Sequence, residues 1–154
     1  MKKYFMLLAV AAGLTTASFA QSKEKDKKDE KYEKKEQVSV PAAVKAAFAK
    51  QYPGTTAKWE KEDGKYEAGF KHQGHEMSAL FEASGTMTEN EMEIKVTELP
   101  SSAMEYVKAH YKGVTVKEAA KITKANGEVN YEAEVKGKDL IFDAKGTFLK
   151  EVKD

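Results

Sequence analysis

From Val40 onward the apolar positions follow two periods, and the switch between them occurs twice. Val44, Phe48 and Tyr52 recur every fourth residue with Ala47 beside them, while Lys45 and Lys50 take the other side, the stripe of an amphipathic helix. Pro41 suits the first position of that helix, where a missing N–H costs nothing. Pro53-Gly54 ends it, because proline disfavours helical geometry before it and glycine tolerates the left-handed exit. The period then falls to two. Ala57 and Trp59 alternate with Lys58 and Glu60, and Asp63-Gly64 signals a hairpin. Tyr66, Ala68 and Phe70 alternate next, and a turn at Gln73-Gly74 leads to Met77, Ala79, Phe81 and Ala83. Ser84-Gly85 closes that strand and Thr86–Thr88 opens a fourth.

The second half repeats these events. Val40–Gly54 lies over Leu99–Gly113 at an offset of 59, matching Pro41 with Pro100, Phe48 with Val107, Tyr52 with Tyr111 and Gly54 with Gly113. Its helical stripe is Ala103, Val107 and Tyr111. Val114 and Val116 begin its first strand, read as running on to Ile122, with a hairpin at Asn126-Gly127. Val129, Tyr131, Ala133 and Val135 alternate next, Gly137-Lys138 turns the chain, and Leu140, Phe142 and Ala144 line a third strand before Thr147–Val152. Phe81–Thr86 matches Phe142–Thr147 at an offset of 61, so the offsets drift as loop insertions make them drift. The expected fold class is α+β. It is a tandem repeat of one helix plus about four antiparallel strands, with two helices packed on a roughly eight-stranded curved antiparallel sheet. Repeat 1 covers about 38–96 and repeat 2 about 97–154.

The first 37 residues carry no such pattern. Lys2 and Lys3, an apolar run from Tyr4 to Leu14, and Ser18-Phe19-Ala20 at the −3 to −1 positions read as an export signal over 1–20. The run is shorter than the ~20 residues of a membrane-spanning helix, so no span is expected once the signal is cleaved. The address is periplasmic or secreted. Residues 21–37 (QSKEKDKKDEKYEKKEQ) interleave lysines with acids and are expected to be a charged flexible linker, having too little apolar surface to offset ordering entropy.

Composition narrows the chemistry. All 26 basic residues are lysine and the formal charge is +1, so a nucleic-acid partner is not expected. Cysteine is absent, which removes disulfides, thiolate metal sites and a cysteine nucleophile. No nucleophile elbow, phosphate-cradling loop or zinc-protease helix occurs, so no catalytic residues and no cofactor are expected.

The motifs do resemble a known family. Val40-Pro41, Tyr52-Pro53-Gly54, Trp59–Glu67 and Phe81–Thr86, with their second-half counterparts, are similar to the PepSY-like, β-lactamase-inhibitor-like family of exported bacterial proteins. The resemblance spans residues 38–154. It implies helix-over-sheet repeats like those of the β-lactamase inhibitor protein, whose concave sheet grips an enzyme. This chain lacks the disulfides that staple the inhibitor proteins.

Three sets of residues are site candidates. Leu80 and Ile141 occupy the out-of-phase position of the third strand in both halves, an aliphatic centre on the face turned from the helices. Trp59 and Tyr66 are candidate interface anchors, although period-two aromatics also belong under helices. His72 and His75 flank the Gln73-Gly74 turn and are candidate metal ligands, with Glu76 to add an oxygen; His110 reads as a helix-flank residue. The function expected is an exported, non-enzymatic binding or inhibitor-like module that engages another envelope protein through the open sheet face. The alternative is a periplasmic small-ligand or metal-ion binding protein.

Overall fold

The computed structural model describes residues 38–153; the signal read at 1–20 and the linker read at 21–37 lie outside the described residues. In chain order these residues form α1 (Ala42–Gln51), β1 (Ala57–Glu62), β2 (Lys65–His72), β3 (His75–Phe81) and β4 (Met87–Ile94). A single 3-10 turn (Val96–Glu98) leads to α2 (Ser101–His110), β5 (Ala119–Lys124), β6 (Val129–Glu134), β7 (Lys138–Asp143) and β8 (Phe148–Lys153). The strands make one curved antiparallel sheet in the order β1 to β8. The halves join where β4 meets β5, with Glu89 opposite Lys124 and Ile94 opposite Ala119. Each half thereby loses one exposed sheet edge.

Each helix starts one residue later than its proline pattern predicts. Pro41 (φ −56°, ψ 146°) and Pro100 (φ −54°, ψ 139°) sit just before the first helical residue, in extended geometry. Their carbonyls still open the helical ladder, Pro41 accepting from Lys45 N–H at 3.1 Å and Pro100 from Met104 N–H at 3.2 Å. At the far ends Tyr52 N–H donates to Phe48 O and Tyr111 N–H to Val107 O, each at 2.8 Å. Both prolines thus serve as fixed-φ entries, which their rings favour equally well.

Two cores lie beneath the helices. Val44, Phe48 and Tyr52 of the first helical unit pack on Ala68, Phe70, Ala79 and Phe81. In the second half, Ala103 and Val107 pack on Ala119, Ala133, Leu140 and Phe142. Small residues at Ala68, Ala79, Ala119 and Ala133 let each helix approach its sheet closely, and the aromatic rings fill the flanks. Phe48 meets Phe70 edge-on at 5.0 Å, and Tyr106 stacks on Phe148 at 4.5 Å. The register settles on which side the helices sit. Met77, Met92, Lys121, Tyr131 and Phe142 form one cross-strand row through both halves. Met77 packs against the first core and Phe142 lies in the second. Both helices therefore cover the same face.

Two expected boundaries differ. Residues 114–118 are not a strand; Val114 and Val116 pack as loop residues against the second core, and β5 starts at Ala119. The β6–β7 hairpin turns at Lys136-Gly137 rather than Gly137-Lys138, with φ of 56° and 72° and Val135 and Lys138 bonded to each other on both sides. That is the two-residue turn whose twist suits a hairpin.

The repeated Phe-(Glu/Asp)-Ala-x-Gly-Thr motif has a mechanical role. In both halves it forms a three-residue hairpin, Glu82 N–H to Thr86 O and Asp143 N–H to Thr147 O at 2.9 Å each. The hairpin tucks under the start of the helix. A Cβ on Gly85 would lie 2.7 Å from Ala43 O, and one on Gly146 would lie 2.8 Å from both Ala103 N and Pro100 Cβ. Ser102 Oγ ties the second contact by donating to Lys145 O. Asp143 Oδ1 accepts from Lys145 N–H and Thr147 N–H at 2.8 Å each, which holds its carboxyl below the usual range, the Thr147 bond contributing most.

Candidate functional site

With both helices on one side, the alternate strand residues form a face that neither helix core includes. Leu80 lies there between Glu67 and Glu89, Ile122 between Glu91 and Asn130, and Ile141 between Glu132 and Lys150. Each step from Leu80 to Ile122 to Ile141 crosses two strands and climbs one two-residue row. At ordinary strand spacing and rise that is about 12 Å. An aliphatic diagonal thus crosses a charged face. On β4 to β7 the charge is mostly acidic, with Glu89, Glu91, Glu93, Glu132, Glu134 and Asp139 alongside Lys124.

The diagonal is not uniformly accessible. Leu80 is half-buried, whereas Ile122 is 8% exposed and Ile141 6%. Glu132, Glu134 and Asp139 around them are 5% exposed each. Glu134 has a lysine partner, Lys117 Nζ at 3.4 Å. Of the two aliphatic positions singled out in the sequence, Leu80 is the one that offers a contact surface. Ile122 escaped sequence reasoning because a strand phased on Val114 and Val116 puts every even position, Ile122 included, under the helix. The true start at Ala119 reverses that phase.

Trp59 and Tyr66 do not join Leu80. Both pack on the first helix-side core, Trp59 edge-on to Phe48 at 5.4 Å. Lys61 Nζ stands 5.7 Å over the Tyr66 ring. The four interface candidates therefore divide between opposite faces. His72 and His75 are directly opposed across the β2–β3 hairpin, His72 half-buried against the Tyr52 ring at 5.5 Å and His75 exposed. Glu76 belongs to the other face, where it pairs with Lys71 at 3.6 Å, so it is not the third ligand the sequence offered. Among the described residues no group of three or more His, Asp or Glu is gathered to hold a metal ion. His110 stacks on Tyr106 at 4.2 Å on the exposed flank of α2.

The helix side carries its own polar clasp. Tyr111 O–H donates to Glu151 Oε2, and Lys138 Nζ donates to Glu151 Oε1 at 2.6 Å, tying the end of α2 to β7 and β8. The bond to Glu151, with some desolvation, pushes the Tyr111 hydroxyl up to about 12. Lys138 first, then Tyr111, holds the Glu151 carboxyl below its ordinary value.

A family profile described as "Putative beta-lactamase-inhibitor-like, PepSY-like" matches residues 2–87 and again 64–150, the doubled match a tandem repeat produces. The chain belongs to the PepSY-like family. Three solved structures similar to this PepSY-like chain come from Bacteroides. A "putative periplasmic" protein of Bacteroides eggerthii is 17% identical at a TM-score of 0.66, covering 75% of this chain and 90% of its own. A DUF2874 family protein of Bacteroides uniformis is 19% identical at 0.65, with coverage of 75% and 90%. A BLIP-like protein of Bacteroides fragilis is 26% identical at 0.56, covering 75% and 87%. No curated protein sequence matches significantly. Among the described residues no helix is long and apolar enough to cross a membrane.

Proposed function

We infer that this PepSY-like chain is an exported, non-enzymatic binding module that engages another protein of the cell envelope through the sheet face opposite its helices. The observation that carries the reading is the one-sided packing of both helices, which leaves Leu80 half-buried among carboxylates on a face outside both cores. Burying such an aliphatic centre inside a charged rim is how protein interfaces gain affinity and orientation. The likeness to a BLIP-like protein supports an inhibitor-like binding module. So does the lack, in the sequence, of any nucleophile, base and orienting group at usable spacing.

The test is capture from a native envelope extract by the tagged, purified chain, followed by mass spectrometry. A Leu80→Lys variant is compared with a Lys108→Glu variant on the helix side. The expected result is a protein retained by wild type and Lys108→Glu and lost with Leu80→Lys, while far-UV circular dichroism stays unchanged. Equal retention by Leu80→Lys overturns the reading.

A further inference from the structure

The outer strands of the sheet, β1 and β8, each have one side that no other strand of the sheet pairs. β8 is blunted in the way protein edges usually are. Its register shifts where it passes Ile141 and Phe142, and its Glu151 is already held by Tyr111 and Lys138. β1 is regular. It pairs with β2 residue for residue from Ala57 to Glu62, and among the described residues no backbone group outside the sheet bonds to it. Asp63 (φ 46°) and Gly64 (φ 81°) form a two-residue turn, which makes Glu62 and Lys65 a fully bonded pair. Bonding alternates along an antiparallel ladder. Glu60 and Lys58 therefore also bond to β2, while Ala57, Trp59 and Lys61 aim their N–H and C=O groups at the free edge.

We propose that this edge is the seam of a homodimer, in which β1 pairs antiparallel with β1 of a second copy across a two-fold axis through Trp59. Such an axis stands perpendicular to the sheet and keeps each face on its own side. Side chains alternate between faces, so the axis must pass through a residue. Centred on Lys58, Glu60 or Lys61, it would set a charge against its own copy. Centred on Trp59, it sets Lys58 against the second copy's Glu60, and Glu60 against the second copy's Lys58. Opposite charges facing each other in this way stabilise paired strands. The same register matches the outward backbone groups, Trp59 bonding to Trp59 and Ala57 to Lys61. Glu60 is suited to such a partner: it is half-buried and, among the described residues, joins no salt bridge. Lys58 is exposed and stands opposite Gly69, which has no side chain. It already has an interaction of its own, and its three donors can serve a second carboxylate as well. Trp59, half-buried at the rim of the first core, would meet its own copy across the axis.

The helices leave room for this seam. α1 packs on β2 and β3, so α1 and its copy would lie four strand spacings apart, about 19 Å. That is roughly twice the distance between packed helices. Leu80 shares a cross-strand row with Glu67 and Glu60. The dimer would therefore carry two Leu80 centres about 25 Å apart on one continuous open face.

The absence of cysteine allows a test of the register itself. Lys58 and the second copy's Glu60 would form a non-hydrogen-bonded pair with Cα atoms about 4.5 Å apart, within the span of a disulfide. Lys58→Cys and Glu60→Cys chains, purified after export, are mixed under mild oxidation. The mixed disulfide should exceed the two self-disulfides together. A seam this short makes a weak dimer, so sedimentation equilibrium is run on the wild-type chain up to its solubility limit. The apparent mass should rise toward twice the monomer. Glu60→Lys should stay monomeric, and Lys58→Glu/Glu60→Lys, which restores both charge pairs, should regain the rise, with far-UV circular dichroism unchanged throughout. A constant monomer mass, a dimer that Glu60→Lys leaves intact, or a merely statistical mixture of disulfides overturns the proposal. Partner capture through Leu80 is read separately, in the envelope extract.

Discussion

The contact between the Gly146 hairpin and the start of α2 gives the sharpest mutational test of how this fold is held. Replacing Gly146 with alanine asks two things of the molecule. Its φ of +82° is a conformation in which a Cβ costs about 1–2 kcal/mol. The new Cβ would also overlap Ser102 Oγ and lie 2.8 Å from Ala103 N and Pro100 Cβ. Ser102 can rotate away by giving up its bond to Lys145 O, worth about 1 kcal/mol. Ala103 N cannot, because it is backbone and donates to Pro100 O at 3.0 Å within the first turn of the helix. Overpacking of this kind costs about 1–3 kcal/mol, so with the lost hydrogen bond the whole substitution costs about 3–6 kcal/mol. Gly127→Ala is the control, with φ +84° and nothing within 4 Å of the added carbon; it should cost the conformational part alone, about 1–2 kcal/mol. Urea unfolding followed by Trp59 fluorescence and circular dichroism measures both. For a domain near 100 residues each kcal/mol lowers Tm by about 4–8 °C, so the two variants should melt well apart. Equal losses would mean that the hairpin does not bear on the helix and that the motif is conformational only.

Two further outcomes follow from the packing and the clasp. Phe142→Ala empties a site with 0% exposure against Tyr106 and Phe148, and should lower unfolding free energy by about 3–5 kcal/mol with an unchanged urea m-value. Tyr111 keeps its hydroxyl proton in the folded state to about pH 12, whereas the unfolded chain releases it near the ordinary tyrosine value of 10.0. Between those values the folded state binds more protons, so stability falls as pH rises across that window. The urea midpoint of wild type should fall more steeply there than that of Tyr111→Phe; parallel slopes would remove the clasp.

Much of the architecture was legible because apolar periodicity records which face of an element is covered. The stripes Val44/Phe48/Tyr52 and Ala103/Val107/Tyr111 and the alternations through Phe81 and Phe142 each report contact with a helix-side core, whereas Ala83 and Ala144, read as continuing those alternations, are exposed beyond the strand ends. The sequence was misleading where a loop imitates that record. Val114 and Val116 alternate as strand residues do, but they are half-buried as part of a loop that packs on the side of the second core. Met87–Ile94 was legible only at its first residues, since it is the seam between halves and owes its strand state to partners on both sides. Such long-range pairing leaves little trace in local pattern.

The site was less legible for a related reason. Leu80 and Ile141 stood out because they break the polar phase of the open face, and the structure puts them on that face with Ile122 on the diagonal between them. What no periodicity predicts is that the two ends of the diagonal differ in exposure. Leu80 and Ile141 hold matching positions on β3 and β7, and both are flanked by charged residues on either side. Local sequence therefore cannot make one half-buried and the other 6% exposed. The surroundings that differ are cross-strand and distant in sequence: Glu67 and Glu89 beside Leu80, Glu132 and Lys150 beside Ile141. The twin helices act as a common backing on one side of a single sheet, which leaves the two halves of the opposite face to differ by their own cross-strand neighbours.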